Sequence, residues 1–213
     1  MIPKTIHYCW FGKGRMSGLQ EACLSSWEQE LPGYEIVRWD ESNAPMEHPF
    51  IAHHYRRKNW AFISDFVRFY ALKEHGGVYL DTDVEVVRSL TPLLEQRIFL
   101  GEEKAGRINT AVIGALSNEP FLDACMEYML DRHRKNLPYH IAPEVATRVL
   151  QSGGYPEVKV YGSRYFYPYN PYDRRRAAQL LYHDVTEETY AIHHWAKSWR
   201  MGIMERVMRK LFR

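Results

Sequence analysis

The chain lacks the features of a membrane-spanning or disulfide-bonded protein. It has 213 residues and only three cysteines, Cys9, Cys23 and Cys125. Their odd number and wide spacing match neither a disulfide framework nor a paired zinc motif. No apolar run approaches the roughly 20 residues that span a bilayer, and the N-terminus has no apolar stretch long enough for a signal peptide. We therefore expect a protein of the reducing cytoplasm.

An excess of charge of one sign is also missing. The 28 Lys and Arg residues nearly balance the 26 Asp and Glu residues, so we expect no nucleic-acid partner, and any anionic ligand must be held locally. What the chain has in abundance is aromatic residues, with 15 Tyr, 9 Phe and 6 Trp. Flat rings beside polar sequence are typical of carbohydrate and nucleobase sites, although a tyrosine-rich core explains them as well.

Strand and helix patterns alternate along the whole chain. Strand patterns at 2–8 and 34–39 flank a helix pattern at 17–30, and a helix at 60–74 ends at the two glycines Gly76 and Gly77. Later strands are predicted near 98–102, 111–116, 157–161 and 189–195, and later helices near 119–134 and 144–152. This alternation predicts an α/β fold with a mostly parallel central sheet flanked by helices. The length fits one domain, over residues 1–200, followed by a short C-terminal helix.

An acidic run follows the two glycines. In "GGVYLDTDVEVV", residues 76–87, an extended strand would place Asp81, Asp83 and Glu85 on one face. Neighbouring carboxylates repel, and protonation, solvation or a cation can relieve the repulsion. A bound cation is the functional interpretation. The alternative is a solvated edge strand whose acids discourage pairing with other sheets.

The helix before the acidic run carries a second charged pair. Asp65 and Arg68 are three residues apart, so they share a helix face and can converge on one ligand. An ordinary surface ion pair explains the same spacing. The helix leads directly into the acidic run, which favours a common site.

Three blocks in this order resemble glycosyltransferase family 32: "IPKTIHYCWFG", "SDFVRFYALKEHGGVYLDTDV" and "YAIHHWAKSW". Members are retaining enzymes with a sugar-binding region and a DXD motif. The resemblance implies a single GT-A type nucleotide-sugar-binding domain, a UDP- or GDP-sugar donor and a Mn²⁺ or Mg²⁺ ion. It further implies transfer of a hexose to a glycan or lipid-linked acceptor in surface polysaccharide synthesis.

The same resemblance assigns roles to the charged residues. Asp83 would bind the metal directly, and Asp81 would hold the donor ribose or reach the ion through water. Asp65 would accept hydrogen bonds from sugar hydroxyls, and Arg68 would meet phosphate or sugar oxygens. These four residues form the expected catalytic set. Trp10 resembles the aromatic residue that stacks on the base, although a buried core indole remains the alternative.

The closing block supplies further candidates. Adjacent residues of a strand face opposite sides, so only one of His193 and His194 should reach the metal, and we favour His194. A structural role for either histidine remains open. Ser198 and Trp199 match positions that contact the ion or the donor phosphate in the family. Glu85 is assigned a supporting position. Asn109, in a separate segment, is assigned to the acceptor side.

Two rival functions are compatible with parts of the sequence. "LDTDVEV" superficially matches the DxD strand of haloacid-dehalogenase-type phosphatases, but that family needs the motif on its first strand, whereas here it begins at Leu80. A sugar-binding module without turnover is the second rival. It would need neither a metal nor the charged pair on the helix.

The C-terminal segment 201–213 predicts a basic amphipathic helix. Met201, Met204, Met208 and Leu211 form an apolar stripe, and most of the basic residues lie off it. Such a helix suits peripheral binding to the inner face of an anionic membrane. Packing on the protein's own sheet or on a second subunit is the alternative.

Overall fold

The computed structural model describes residues 1–173 and 179–196. This part of the chain forms eight strands and five α-helices. The strands are β1 (Thr5–Cys9), β2 (Glu35–Trp39), β3 (Gly77–Leu80), β4 (Val84–Val86), β5 (Ile98–Lys104), β6 (Arg107–Ala115), β7 (Val158–Tyr161) and β8 (Ala191–His193). The helices are α1 (Gly18–Glu30), α2 (Pro49–Arg56), α3 (Trp60–His75), α4 (Pro120–Arg134) and α5 (Ala142–Gln151).

Six of the described strands form the central sheet, in the order β2-β1-β3-β6-β5-β7. β1 pairs in parallel with β2 and β3, and β5 pairs in parallel with β7. β6 lies antiparallel to both β3 and β5, so five strands run one way and one runs back. The predicted α/β fold with a mostly parallel sheet is confirmed.

The sheet has a hydrophobic layer on each face. Tyr79 belongs to the layer that contains α3, α4 and α5, whereas Val78 and Leu80 belong to the layer that contains Trp27 of α1. This alternation is what the period of a strand requires. Helix α3 is buried along most of its length because it packs between the sheet and the helices α2 and α4. Burial of α3 fixes the position of its charged side chains.

The two glycines after α3 have structural roles. Gly76 ends the helix with a φ of 65°, and its N–H donates to Leu72 O. Gly77 has a φ of 103°, and a Cβ there would lie 2.6 Å from Thr5 O of the neighbouring strand. Only glycine fits this conformation and this close approach of two backbones. The predicted helix end is confirmed.

The acidic run is not one strand, and this part of the prediction is wrong. β3 ends at Leu80, and the chain turns through Asp81, Thr82 and Asp83, where Val84 N–H donates to Asp81 O at 3.0 Å. β4 then pairs with β8 in a separate two-stranded sheet. Aspartate stabilises turns through its short side-chain acceptor, which explains why the strand stops here.

Some predicted features lie outside the described residues. They are the C-terminal helix 201–213 and the donor-binding candidates Ser198 and Trp199. Among the helices that are described, none has the length and apolar character needed to cross a bilayer. Helix α2 was not predicted from the sequence.

His54, on α2, is expected to make folding sensitive to acid. Its ring lies among Phe50, Phe62 and Tyr139, and its Nε2 is buried with no hydrogen-bond partner among the described residues. Burial, together with smaller effects of His53, His133 and Arg57, lowers the pKa of His54 to about 3. The unfolded chain therefore binds the proton more tightly, so this contribution to stability is complete above pH 6.5 and is lost as the pH falls below it.

We expect His54→Phe to remove about 2 kcal/mol of the decrease in unfolding free energy between pH 7 and pH 5. Denaturant unfolding at the two pH values measures this decrease. His183→Phe, at an exposed histidine, is the control and should behave as wild type. His7 is also buried, with a pKa lowered to about 4, so part of the acid sensitivity should persist. Equal acid sensitivity in His54→Phe and wild type would contradict the prediction.

Candidate active site

A cavity of about 240 Å³ opens where β1 and β3 end. Cys9 is the last residue of β1, and the Asp81–Asp83 turn follows β3. Helix α3 and the first part of β6 supply the side walls. The cavity is lined by Cys9, Ala61, Phe62, Ser64, Asp65, Arg68, Tyr79, Asp81, Thr82, Asp83, Asn109, Thr110, Ile141, Pro143, His193 and Ala196. The carboxyl ends of parallel strands are the usual ligand position in open α/β sheets.

Arg68 lies at the centre of a buried charge cluster. Its Nη2 is 2.9 Å from Asp65 Oδ1 and 3.3 Å from Asp81 Oδ1. Its Nη1 donates to Thr110 O at 2.9 Å, and its guanidinium lies 4.7 Å from the centre of the Tyr79 ring. The fork of N–H groups on arginine is therefore directed largely at protein oxygens, and it holds the two carboxylates in fixed positions.

The two acids beside Arg68 differ in environment. Asp65 is buried, and its Oδ2 accepts a hydrogen bond from Ala142 N–H at the start of α5. Burial raises the pKa of Asp65 to about 6, against the lowering effect of Arg68. The side chain of Asp81 is 28% exposed and accepts from the Tyr79 hydroxyl at 3.0 Å. Asp81 thus faces the cavity, whereas Asp65 is held in its wall.

A second group of ligand atoms lies on the other side of Asp81. One atom each from Asp81, Asp83 and His193 lie within 4.8 Å of one another. Asp83 Oδ2 is 3.4 Å from His193 Nε2 and accepts from Ala196 N–H at 2.7 Å. Burial alone would raise the pKa of Asp83, but the hydrogen bond from His193 holds it below its ordinary value.

The residues of this group fit a divalent cation. Two carboxylates and an imidazole are ligands that Mn²⁺ accepts, and the carboxylates alone suit Mg²⁺. His193 is buried, and its Nδ1 has no hydrogen-bond partner among the described residues. Burial acts to lower the pKa of His193, and Asp83 outweighs that effect and raises it. The carboxylates therefore favour positive charge at this position, as a cation site requires.

The prediction favoured His194 as the metal ligand, but His193 is the histidine grouped with the two aspartates. His193 lies beside Asp83, whereas His194 Nε2 lies 2.8 Å from Glu85 Oε2. The two side chains point to opposite sides of the strand end, as is usual for adjacent strand residues, and residue type alone does not tell which side faces the cavity. His194 pairs with Glu85 away from the metal-ligand group, and a supporting role for Glu85 stays a prediction.

The remaining candidates line the same end of the sheet. Trp10 is half-buried in the loop after β1 and lines a neighbouring cavity of about 640 Å³ together with Tyr55 and Trp60. Lys13, Arg15, Lys58 and Glu41 also line it. Asn109 lines the 240 Å³ cavity, and its Nδ2 donates to Glu103 Oε2 at 2.8 Å.

Sequence reasoning missed several residues of the site. Tyr79 alternates with Asp81, so the same period-2 pattern that grouped the acids could have revealed it. Thr110 accepts from Arg68 through its backbone carbonyl and its hydroxyl, and Ala196 donates to Asp83 through its backbone N–H. The backbone contacts leave no signal in residue type.

Comparison with known proteins finds matches to glycosyltransferases. Residues 18–100 match the family model described as "Glycosyltransferase sugar-binding region containing DXD motif". The chain is 32% identical over 129 residues to inositol phosphoceramide mannosyltransferase 3 of Schizosaccharomyces pombe, covering 57% of this chain and 35% of that protein. It is 33% identical over 95 residues to human alpha-1,4-N-acetylglucosaminyltransferase, covering 44% and 27%. The matched parts span about a third of these relatives.

Two solved structures share the fold. The PaToxG glycosyltransferase has a TM-score of 0.59 at 17% identity, covering 71% of this chain and 69% of that one. The galactosyltransferase LgtC has a TM-score of 0.53 at 16% identity, covering 97% and 94%. The chain has the GT-A fold. Its residues 18–100 are similar to the glycosyltransferase sugar-binding region with the DXD motif, in agreement with the resemblance to glycosyltransferase family 32.

Proposed function

We propose that the protein is a metal-dependent glycosyltransferase, which binds the sugar and diphosphate of a nucleotide-diphosphate sugar in the 240 Å³ cavity and transfers the hexose to a glycan or lipid-linked acceptor. The observation that carries the proposal is the group of Asp81, Asp83 and His193 ligand atoms within 4.8 Å at the carboxyl end of the sheet. The names of the relatives, a mannosyltransferase and an N-acetylglucosaminyltransferase, support transfer of a sugar.

Asp83 and His193 would hold the metal, with Asp81 as a third or water-mediated ligand. When bound, Mn²⁺ or Mg²⁺ supplies positive charge next to the donor diphosphate. Asp83 is already oriented for this role by the Ala196 N–H, and its low pKa keeps it ionised. A ligand held in place before the metal arrives loses little conformational freedom on binding.

The charge cluster around Arg68 would hold the sugar end of the donor. Asp65 Oδ1 and Oδ2 each accept one protein hydrogen bond and each retain capacity for another. Arg68 contacts both Asp65 and Asp81, so we assign it mainly a positioning role. Direct contact of Arg68 with phosphate or sugar oxygens, as the sequence predicts, stays a second proposal. The base of the nucleotide would lie toward Trp10, where Lys13 and Lys58 line the adjoining cavity.

We propose a front-face route with retention of configuration. The bond between the anomeric carbon and the diphosphate oxygen breaks, and the acceptor oxygen bonds to the same carbon from the same side. The acceptor proton leaves with the released nucleoside diphosphate. We infer this route from the resemblance to glycosyltransferase family 32, since the sequence shows no obvious pair of nucleophilic side chains.

The test is hydrolysis or transfer from a panel of donors. We expect at least one of UDP-glucose, UDP-galactose, UDP-N-acetylglucosamine and GDP-mannose to be consumed with Mn²⁺ or Mg²⁺ and to be stable with EDTA. Turnover of p-nitrophenyl phosphate without sugar-donor turnover would favour the phosphatase. Donor binding without turnover would favour the sugar-binding module. Equal rates with EDTA would contradict the metal role.

Three further predictions rest on the sequence alone. They are peripheral membrane binding through residues 201–213, a cytoplasmic location and a part in surface polysaccharide synthesis.

A further inference from the structure

A second cavity adjoins the proposed donor site. Its volume is about 260 Å³, and it shares Ile141 and Pro143 with the 240 Å³ cavity. Trp195 also lines the second cavity, and it lies in the sequence between His193 and Ala196, which line the 240 Å³ cavity. A ligand here would therefore lie next to the sugar end of a bound donor.

Two aromatic rings form one wall of this second cavity. Tyr172 is 57% exposed, and its ring lies 5.7 Å from that of Trp195, nearly perpendicular to it at 84°. Trp195 has a φ of 56°, which is uncommon for a residue with a large side chain and usually marks a functional constraint. Its Nε1 donates to Tyr169 O at 3.0 Å, and its ring lies 4.4 Å from that of His193. The indole is thus fixed between the two cavities.

Charged side chains also line this cavity. Glu103 and Arg107 come from the two sides of the β5–β6 hairpin, and the strand register shifts between Glu102 and Lys104. Such irregularities re-aim side chains beside functional sites. Glu103 Oε1 pairs with Arg107 Nε at 2.8 Å, and Glu103 Oε2 accepts from Asn109 of the donor cavity at 2.8 Å. One hydrogen-bond network therefore connects the two cavities.

We propose that the second cavity binds a pyranose ring of the acceptor, with the wall of Tyr172 and Trp195 against one apolar face of the sugar and Glu103 and Arg107 at the hydroxyls. This inference rests on the proposed function. A pyranose has apolar C–H faces and a rim of hydroxyls that both donate and accept hydrogen bonds, which matches aromatic rings together with a carboxylate and a guanidinium. The volume is below the roughly 300 Å³ at which pockets for drug-sized ligands begin, so it suits a single ring.

Binding of pyranosides without any donor tests the proposal. The probes are octyl β-glucoside, octyl β-galactoside, octyl α-mannoside and octyl β-N-acetylglucosaminide below their micelle concentrations, followed by saturation-transfer NMR. We expect wild type to bind at least one probe. Tyr172→Ala should weaken that binding roughly tenfold, because one stacking face is lost. Tyr172→Phe keeps the ring and should bind nearly as wild type.

Tyr182→Ala is the matched control, because Tyr182 is 97% exposed and does not line the cavity. It should bind the probes as wild type does. Wild type that binds none of the four pyranosides, or Tyr172→Ala that binds them undiminished, would overturn the proposal.

A kinetic measurement separates this inference from the proposed function. The kinetics use an active donor and the best-bound pyranoside. The factor by which Tyr172→Ala raises KM for the pyranoside should be about ten times the factor by which it raises KM for the donor. Equal changes in the two KM values would mean that the acceptor binds outside the second cavity. They would not contradict the proposed donor site. If no donor is turned over, the proposed function fails, and the binding experiment alone decides on the second cavity.

Discussion

Asp83→Asn is expected to reduce metal-dependent donor turnover at least about a hundredfold while leaving the chain folded. The substitution removes one anionic ligand from the group of Asp81, Asp83 and His193. The asparagine oxygen can still accept from the Ala196 N–H, and its size is unchanged, so the turn should persist. The loss should therefore be of metal binding and not of structure.

Steady-state donor hydrolysis in Mn²⁺ measures the effect, and thermal unfolding verifies the fold. Asp123→Asn is the matched control, because Asp123 forms a partly exposed ion pair with Lys73 on the helix layer. It should be as active as wild type. An Asp83→Asn variant with undiminished turnover would remove Asp83 from the site.

Arg68→Lys is expected to lower kcat/KM by roughly 1.5–3 kcal/mol although it keeps the positive charge. Arg68 reaches Asp65, Asp81 and Thr110 at the same time through different nitrogens. A lysine ammonium is a single point donor and cannot hold both carboxylates and the carbonyl in one geometry. The carboxylates would then shift relative to the donor.

The same substitution should also lower the free energy of unfolding by about 2 kcal/mol, since a buried donor network is only partly replaced. Arg38→Lys is the matched control: its ion pair with Asp40 is partly exposed, at 3.1 Å, and exposed pairs contribute little. Kinetics and stability that are unchanged in Arg68→Lys would mean that the fork geometry has no role.

The fold could be predicted from the sequence because each element has its own periodicity and its own end signals. The capping box of α1, which includes Ser17 and Gln20, and the glycines after α3 are local features. Helix α2 was missed because "PFIAHHYR" is short and carries two adjacent histidines, one of which is buried only through tertiary packing.

The site could be predicted only as a set of residues. The prediction for Asp81 and Asp83 assumed a continuous strand, whereas a turn brings the two residues together. The prediction of two neighbouring carboxylates holds because a strand and this turn both place them close to each other. The choice between His193 and His194 depends on the twist and pairing of β4 and β8, which the sequence does not encode locally. The spacing to Asp65 and the resemblance place Arg68 in the site, but its burial against Tyr79 comes from the packing of α3 on the sheet, which residue spacing does not reveal.

Direct titration of Mn²⁺, followed by electron paramagnetic resonance in the presence of UDP, tests the central claim. Wild type should bind one Mn²⁺, and both Asp83→Asn and His193→Gln should weaken binding at least about tenfold. His194→Gln should bind as wild type, because His194 pairs with Glu85 away from the ligand group. Binding that is undiminished in Asp83→Asn and His193→Gln, or a wild type that binds no Mn²⁺, would contradict the assignment of this site.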